Sequence, residues 1–291
     1  MRPNWITCLI AAAILLTLAM VASAQDVNHG RISYVDNDAL IRGSQDAEWS
    51  VAQQNSLVMP GDTIWADEQG VLEVEVSGGI FIRLADGSRM DVSSMPPSTV
   101  VQGSTGSFYI HRLRYSEGDM LFQTPVGDIY VENDSQVRID ILQEGSTTVS
   151  SRWGNAIIQT ADGLRVRVPT GKQVFIDPGY APSSPVAFDR DIEDAFDTWN
   201  RERSRRIAIG SNSKDIGQIG TYAAPIGTSD LDGYGEWVYV DNKSYWKPTV
   251  VVDYVPYRVG SWSYVPNHGH VWVGHHPFTY CCRTITDVSR Y

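Results

Sequence analysis

Between residues 27 and 178 apolar and polar side chains alternate with a period close to two, and turn-forming residues recur every eight to twelve positions. That rhythm predicts short strands with one buried face. Residues 71–76 show it plainly, with Leu72, Val74 and Val76 on one face and Glu73 and Glu75 on the other. Further strands are expected at 31–35, 39–42, 80–84, 89–92, 107–113, 119–123, 127–131, 136–142, 147–151, 155–160, 164–168 and 173–176, with no helix among them. Asp86-Gly87, Glu117-Gly118, Glu144-Gly145 and Asp162-Gly163 fall between strands, where glycine supplies the positive φ of a tight corner. One acid per corner does not gather the roughly six to eight oxygens a calcium ion takes, so these read as hairpin corners. Their spacing is too irregular for a solenoid repeat. A sandwich, a barrel or a stacked β-roll fits the pattern.

Asp177-Pro178-Gly179 and the stretch from Pro182 to Pro185 close this unit. Phe188, Ile192, Ala195, Phe196 and Trp199 then recur at helical spacing. They predict one amphipathic helix over about 188–207, inside a linker spanning 179–230. Asp189, Asp191, Glu193 and Asp194 crowd its start and Arg201, Arg203, Arg205 and Arg206 its end, an order that suits the helix dipole. Two readings follow: an arginine patch that grips an acidic partner, or a capped helix docked on the β-domain, which is the simpler. Residues 211–228, rich in Gly, Ser and Ala, read as a connector. From 231 to 291 the pattern changes again, and 13 of 61 residues are aromatic. Short aromatic strands at 235–240, 260–265 and 270–273 predict a small β-meander.

The first 24 residues stand apart. Arg2 precedes an almost unbroken apolar run from Leu9 to Val21, and Ala22-Ser23-Ala24 gives a signal peptidase its small-x-small site. The run is shorter than the ~20 residues of a spanning helix. Export to a periplasmic or extracellular space is therefore expected, with no integral membrane segment in the mature chain. The net charge of the 291 residues is −11, and loss of Arg2 takes it to −12. Residues 231–291 carry five acids and five bases, so the acidity resides in the body. Such a body gains nothing from a phosphate backbone, which excludes nucleic acid as its partner.

The neutral tail holds the candidate chemistry. Trp237, Tyr239, Trp246, Tyr257, Trp262, Tyr264 and Trp272 could form a platform that stacks on sugar rings or on peptide side chains. They could equally be the core of a small module with few Leu or Ile. His268, His270, His275, His276, Cys281 and Cys282 form the one cluster with the ligand chemistry of zinc or copper, though their spacing matches no established site and no cofactor is assigned. Cys281 and Cys282 leave open a strained vicinal bridge, an intermolecular bridge or a free pair. No hydrolase elbow, zinc-protease, P-loop or dinucleotide fingerprint is present, and no catalytic residue is assigned.

Pro60-Gly61-Asp62-Thr63-Ile64, the run from Gly70 to Val76 and the run from Ile82 to Ser88 resemble the FecR domain. So do Glu117-Gly118-Asp119, Thr124-Pro125-Val126-Gly127 and the run from Pro169 to Gln173. The likeness spans roughly 30–178 and implies a β-rich extracytoplasmic domain. In the family's founding regulators that domain follows a cytoplasmic anti-sigma segment and a membrane span and relays a receptor signal. Residues 188–280, through Trp199, Trp237, Trp246, Pro256-Tyr257, Trp262 and Trp272, resemble a Trp/Tyr/Pro-rich domain of unknown function that accompanies exported FecR-domain proteins. Together these give a mainly β chain: a leader over 1–24, a FecR-like β-sandwich or β-roll over 27–178, one amphipathic helix, and an aromatic-rich β-meander over 231–291. The expected function is a non-enzymatic envelope protein whose aromatic module binds a glycan or a protein. The alternatives are a signalling component resembling the iron-dicitrate sensor, and a metal-binding protein using the His/Cys tail.

Overall fold

The computed structural model describes residues 29–76, 79–211, 226–231, 233–241, 243–250, 255, 257–265, 269–276 and 278–279, with backbone alone at 208–211, 229 and 243–245. The leader expected over residues 1–24 and most of the connector lie outside them.

Two sheets face each other, as the alternation predicts. The first joins Gly30–Asp36, Val71–Val76, Ile80–Leu84, the second half of Ser98–Arg112, Ser135–Ile141, Thr147–Trp153 and Lys172–Ile176 in antiparallel order. The second joins Ala39–Arg42, Thr63–Ala66, Arg89–Ser94, the first half of Ser98–Arg112, Asp119–Thr124, Gly127–Val131, Asn155–Gln159 and Arg165–Pro169. Leu72, Val74, Ile82, Ile110 and Val137 from the first sheet meet Ile64, Met90, Val101, Ile129 and Ile158 from the second in one core. Phe108 and Phe122 pack at 4.9 Å within it. Full burial of side chains of this size contributes roughly 1.5–3 kcal/mol each.

The strand expected at 107–113 runs from Ser98 to Arg112 and belongs to both sheets. Its Gly103-Ser-Thr-Gly106 centre is the crossing point between the two sheets. Gly106 stands at φ 106, and a Cβ there would lie 2.2 Å from Ser88 Oγ, so only glycine lets the strand bend this closely. The acid-Gly corners at Gly87, Gly118, Gly145 and Gly163 all take positive φ.

The α-helix α1 (Ala195–Ser211) packs on the outer face of the first sheet. It starts later than the expected 188. Asp194 Oδ1 accepts from Asp197 N at 2.7 Å and Asp197 Oδ2 accepts from Asp194 N at 3.1 Å, a reciprocal cap that fixes the first turn. It also runs on to Ser211, so the four arginines lie mid-helix rather than at its end. Only part of the expected apolar stripe is buried: Phe196 packs on Tyr109 and half-buried Trp199 on Tyr34, whereas Ala195 is exposed. Ile192 is exposed, while Phe196, Asp197, Asn200, Arg203, Ser204 and Ile207 form the docked face. The sheet beneath explains it, because its outer face presents Glu73, Arg83, Tyr109, Arg138 and Arg152.

Among the described residues the aromatic segment forms two hairpins, Gly235–Val240 with Lys243–Pro248 and Gly260–Val265 with Gly269–Gly274, with no pairing between them that would make the expected meander. Two-stranded ribbons twist strongly, and Pro248 has no N–H to offer a further strand.

Candidate functional site

The outer face of the first sheet carries charges in register. Arg31 lies directly opposite Glu75, and Glu73 opposite Arg83. Glu73 accepts from Arg83 Nε at 2.7 Å, Ser33 Oγ at 2.7 Å and Arg203 Nη2 of α1 at 2.5 Å. Burial alone would raise this carboxyl, but the guanidiniums of Arg83 and Arg203 hold it down to about 2. Arg31 Nε donates to Glu75 at 2.9 Å, Arg31 Nη1 to Asn55 Oδ1 at 2.6 Å, and Arg31 Nη2 to Asp230. Burial, with the Asp230 carboxylate nearby, pushes the Glu75 carboxyl up despite Arg31. At the start of α1, Asp197 takes Tyr109 Oη at 2.5 Å, Arg138 at 2.8 Å and Arg152 at 2.5 Å. A buried network of this kind adds little net stability over well-packed apolar residues, but loss of any one partner leaves an uncompensated buried charge.

His111 meets Ser204 Oγ at 3.3 Å beneath the helix. Desolvation and the Arg83 guanidinium push the imidazole down to about 3. Ser204 Oγ also accepts from Arg83 at 2.8 Å, which makes it a structural acceptor in this arrangement.

The same network carries the aromatic module. Gly227 N donates to the Glu75 carboxylate at 3.0 Å, and Asp230 pairs with Arg31. Asn55, buried and at φ 68, turns its Nδ2 to the carbonyls of Gly274, His276 and Thr279 at 2.9, 2.6 and 2.5 Å.

Within the module the two hairpins are copies of one unit. Trp237 lies opposite Trp246 in the first, and Trp262 opposite Trp272 in the second. Gly235 and Gly260 leave room for the opposing indole: a Cβ would come within 2.5 Å of Trp246 Cζ2 and 2.6 Å of Trp272 Cζ2. Thr249 N donates to Tyr234 O at 3.0 Å and His275 N to Val259 O at 3.2 Å, closing both units the same way.

Their surroundings differ. Trp246 is 6% exposed, packed with Leu231 and Phe278, with Tyr234 and half-buried Trp237 at the edge. It is therefore a core residue, and the platform reading does not hold for it. Trp262 and Tyr264 are 64% and 67% exposed, on a hairpin whose other side buries Val265 and Val273. Trp262 meets half-buried Trp272 edge-on at 5.4 Å, exposed Tyr257 meets Trp272 at 6.3 Å, and Tyr264 meets His270 at 5.5 Å. Tyr239 is exposed on the first hairpin. The second hairpin thus presents a continuous aromatic face.

The histidines part company. His270 lies on that face, His275 Nε2 meets Ser261 Oγ at 3.1 Å, and His276 stacks on Phe278 at 5.3 Å. Among the described residues no group of three or more metal-ligating side chains converges. His268, Cys281 and Cys282 lie outside those residues. The ionic network escaped the sequence reading, which put Glu73 and Glu75 on the face opposite Leu72, Val74 and Val76 without naming what they meet. Its signal was there in the opposite charges of Arg31, Glu73, Glu75 and Arg83 on successive strands.

Residues 228–284 match a family described as a family of unknown function (DUF6600). No curated protein matches the chain. Two crystal structures of a candidate anti-sigma factor from Parabacteroides distasonis ATCC 8503 are similar in shape. One, at 1.65 Å resolution, shares 12% identity with a TM-score of 0.38, over 64% of this chain and 99% of that one. The other, at 2.50 Å, shares 13% with a TM-score of 0.39, over 64% and 98%. Among the described residues no helix is long and apolar enough to cross a membrane.

Proposed function

We propose that this chain is an exported, non-enzymatic interaction protein of a cell envelope, in which a FecR-like sandwich and its helix carry an aromatic module that binds a glycan or a protein. The observation that carries this reading is the exposed set Trp262, Tyr264 and Tyr257 around Trp272, on a hairpin anchored by its valine side. Large rings held on a strand pair have little freedom left to lose when a partner arrives, and they stack on sugars and side chains alike. The FecR-like reading draws support from Gly61, Gly118 and Gly171, which belong to the resembling fragments and all stand at positive φ. Export draws on the leader-like residues 1–24.

Retention of the purified chain on isolated sacculi and on immobilised envelope proteins tests the proposal. Wild type is expected to be retained, and Trp262→Ala/Tyr264→Ala to be lost from the support with an unchanged thermal midpoint. Absence of retention, or retention indifferent to the double variant, overturns it.

A further inference from the structure

The first hairpin shows what the shared Trp face accepts. There the ring of Phe278 lies 5.2 Å from Trp246 and 6.0 Å from Tyr234, and Trp246 is left 6% exposed. In the second hairpin the equivalent Trp272 has as its aromatic neighbours Trp262 and Tyr257, which are themselves 64% and 56% exposed. The unit is repeated and, among the described residues, its occupant is not.

The chemistry of the face narrows what that occupant is. Gly260–Val265 and Gly269–Gly274 contain no carboxylate, amide or ammonium side chain. The polar groups on the Trp262–Trp272 side are the Tyr264 hydroxyl and the His270 imidazole, whose rings meet each other at 5.5 Å, while Ser261 lies on the opposite side with Val273. A sugar brings many hydroxyls that lose water on stacking and need polar partners beside the ring, and Tyr264 and His270 offer only two side chains for them. An aromatic side chain needs none, and an edge-on or tilted ring at 5–6 Å is the geometry already seen over Trp246. The module is electrically neutral, so charge contributes little to the attraction.

Resting on the reading of this hairpin as a binding face, we infer that the Trp262–Trp272 face takes an aromatic side chain from an extended, weakly charged segment of a partner protein, seated as Phe278 is seated on Trp246. Phe278 is the internal stand-in for that ligand.

The test titrates the full chain with a heptapeptide copying residues 273–279 and follows the Trp262 and Trp272 indole N–H resonances. The same peptide carrying Ala in place of Phe, and a tetramer of N-acetylglucosamine, are run beside it. Saturable shifts confined to those two indoles are expected with the first peptide. They should weaken at least tenfold with the Ala peptide and with the Trp262→Ala chain, whose exposed position keeps the fold intact. No shift, or equal shifts with both peptides, overturns the inference. Shifts with the sugar alone also overturn it while leaving the broader reading of a binding face standing. Two further outcomes overturn it by naming another occupant: shifts that depend on protein concentration without ligand, marking a second copy, and shifts caused by removing residues 281–291, marking the chain's own end.

Discussion

Trp246 and Trp272 hold the same position in two copies of one hairpin, each pressed against the glycine that begins the opposite strand. Phe278 covers Trp246, whereas Trp272 borders the exposed rings of Trp262 and Tyr257. One unit therefore serves as core and the other as surface. Removal of the cover exposes the difference: Phe278→Ala is expected to destabilise the module by about 3 kcal/mol. Collisional quenching of Trp246 fluorescence should rise accordingly, and a module of unchanged stability would argue against the packing.

Glu73 neutralises two guanidiniums at once, with Arg83 at 2.7 Å and Arg203 at 2.5 Å. Glu73→Ala leaves both buried charges facing each other, an arrangement that costs roughly 3–5 kcal/mol. Chemical denaturation is expected to show that loss together with proteolytic release of α1. A loss under about 1 kcal/mol would mean that the helix docks by its aromatic residues alone.

Acid should loosen the same interface. Glu73 titrates near 2 in the fold against an ordinary 4.5, so its contribution is complete above 4.5 and fades as pH falls toward 2. His111 titrates near 3 against 6.5, so the unfolded chain takes up its proton first and stability falls from pH 6.5 downward. Glu75, pushed up by burial, works in the opposite sense and is relieved by protonation. Thermal midpoints of His111→Gln should therefore be flatter than wild type between pH 6.5 and 4.5, above the window in which Glu73 titrates. Parallel curves for the two proteins would exclude His111 as the sensor.

Asn55 joins the sandwich to the module through three carbonyls and accepts from Arg31. Asn55→Gly keeps the positive φ and removes the side chain, so its effect isolates those hydrogen bonds. Amide exchange at 274–279 is expected to quicken by about tenfold, while exchange in the sandwich core stays slow. Unchanged exchange at 274–279 would remove Asn55 as the fastener.

The sandwich was legible where alternation survives, as in Leu72, Val74 and Val76 and in Val137, Ile139 and Ile141. Ser50–Val51 and Leu57–Val58 were not, since two residues carry no period. Thr63–Ala66 falls directly behind Pro60-Gly61, and the first half of Ser98–Arg112 is broken by Gly103 and Gly106 and carries no clean alternation. The polar face of Val71–Val76 was correctly assigned, but alternation cannot say whether a polar face meets water or a charged helix. In the tail the sequence offered Trp246 and Trp262 on equal terms. The distinction comes from Phe278, a contact far along the chain that no local pattern announces.

The most direct measurement compares Trp262→Ala with Trp246→Ala for thermal stability and for retention on envelope material. Trp262→Ala should keep its stability within about 0.5 kcal/mol of wild type and lose retention. Trp246→Ala should lose about 3 kcal/mol or more. Equal destabilisation by the two, or full retention of Trp262→Ala, would contradict the division of the module into a buried and a binding hairpin.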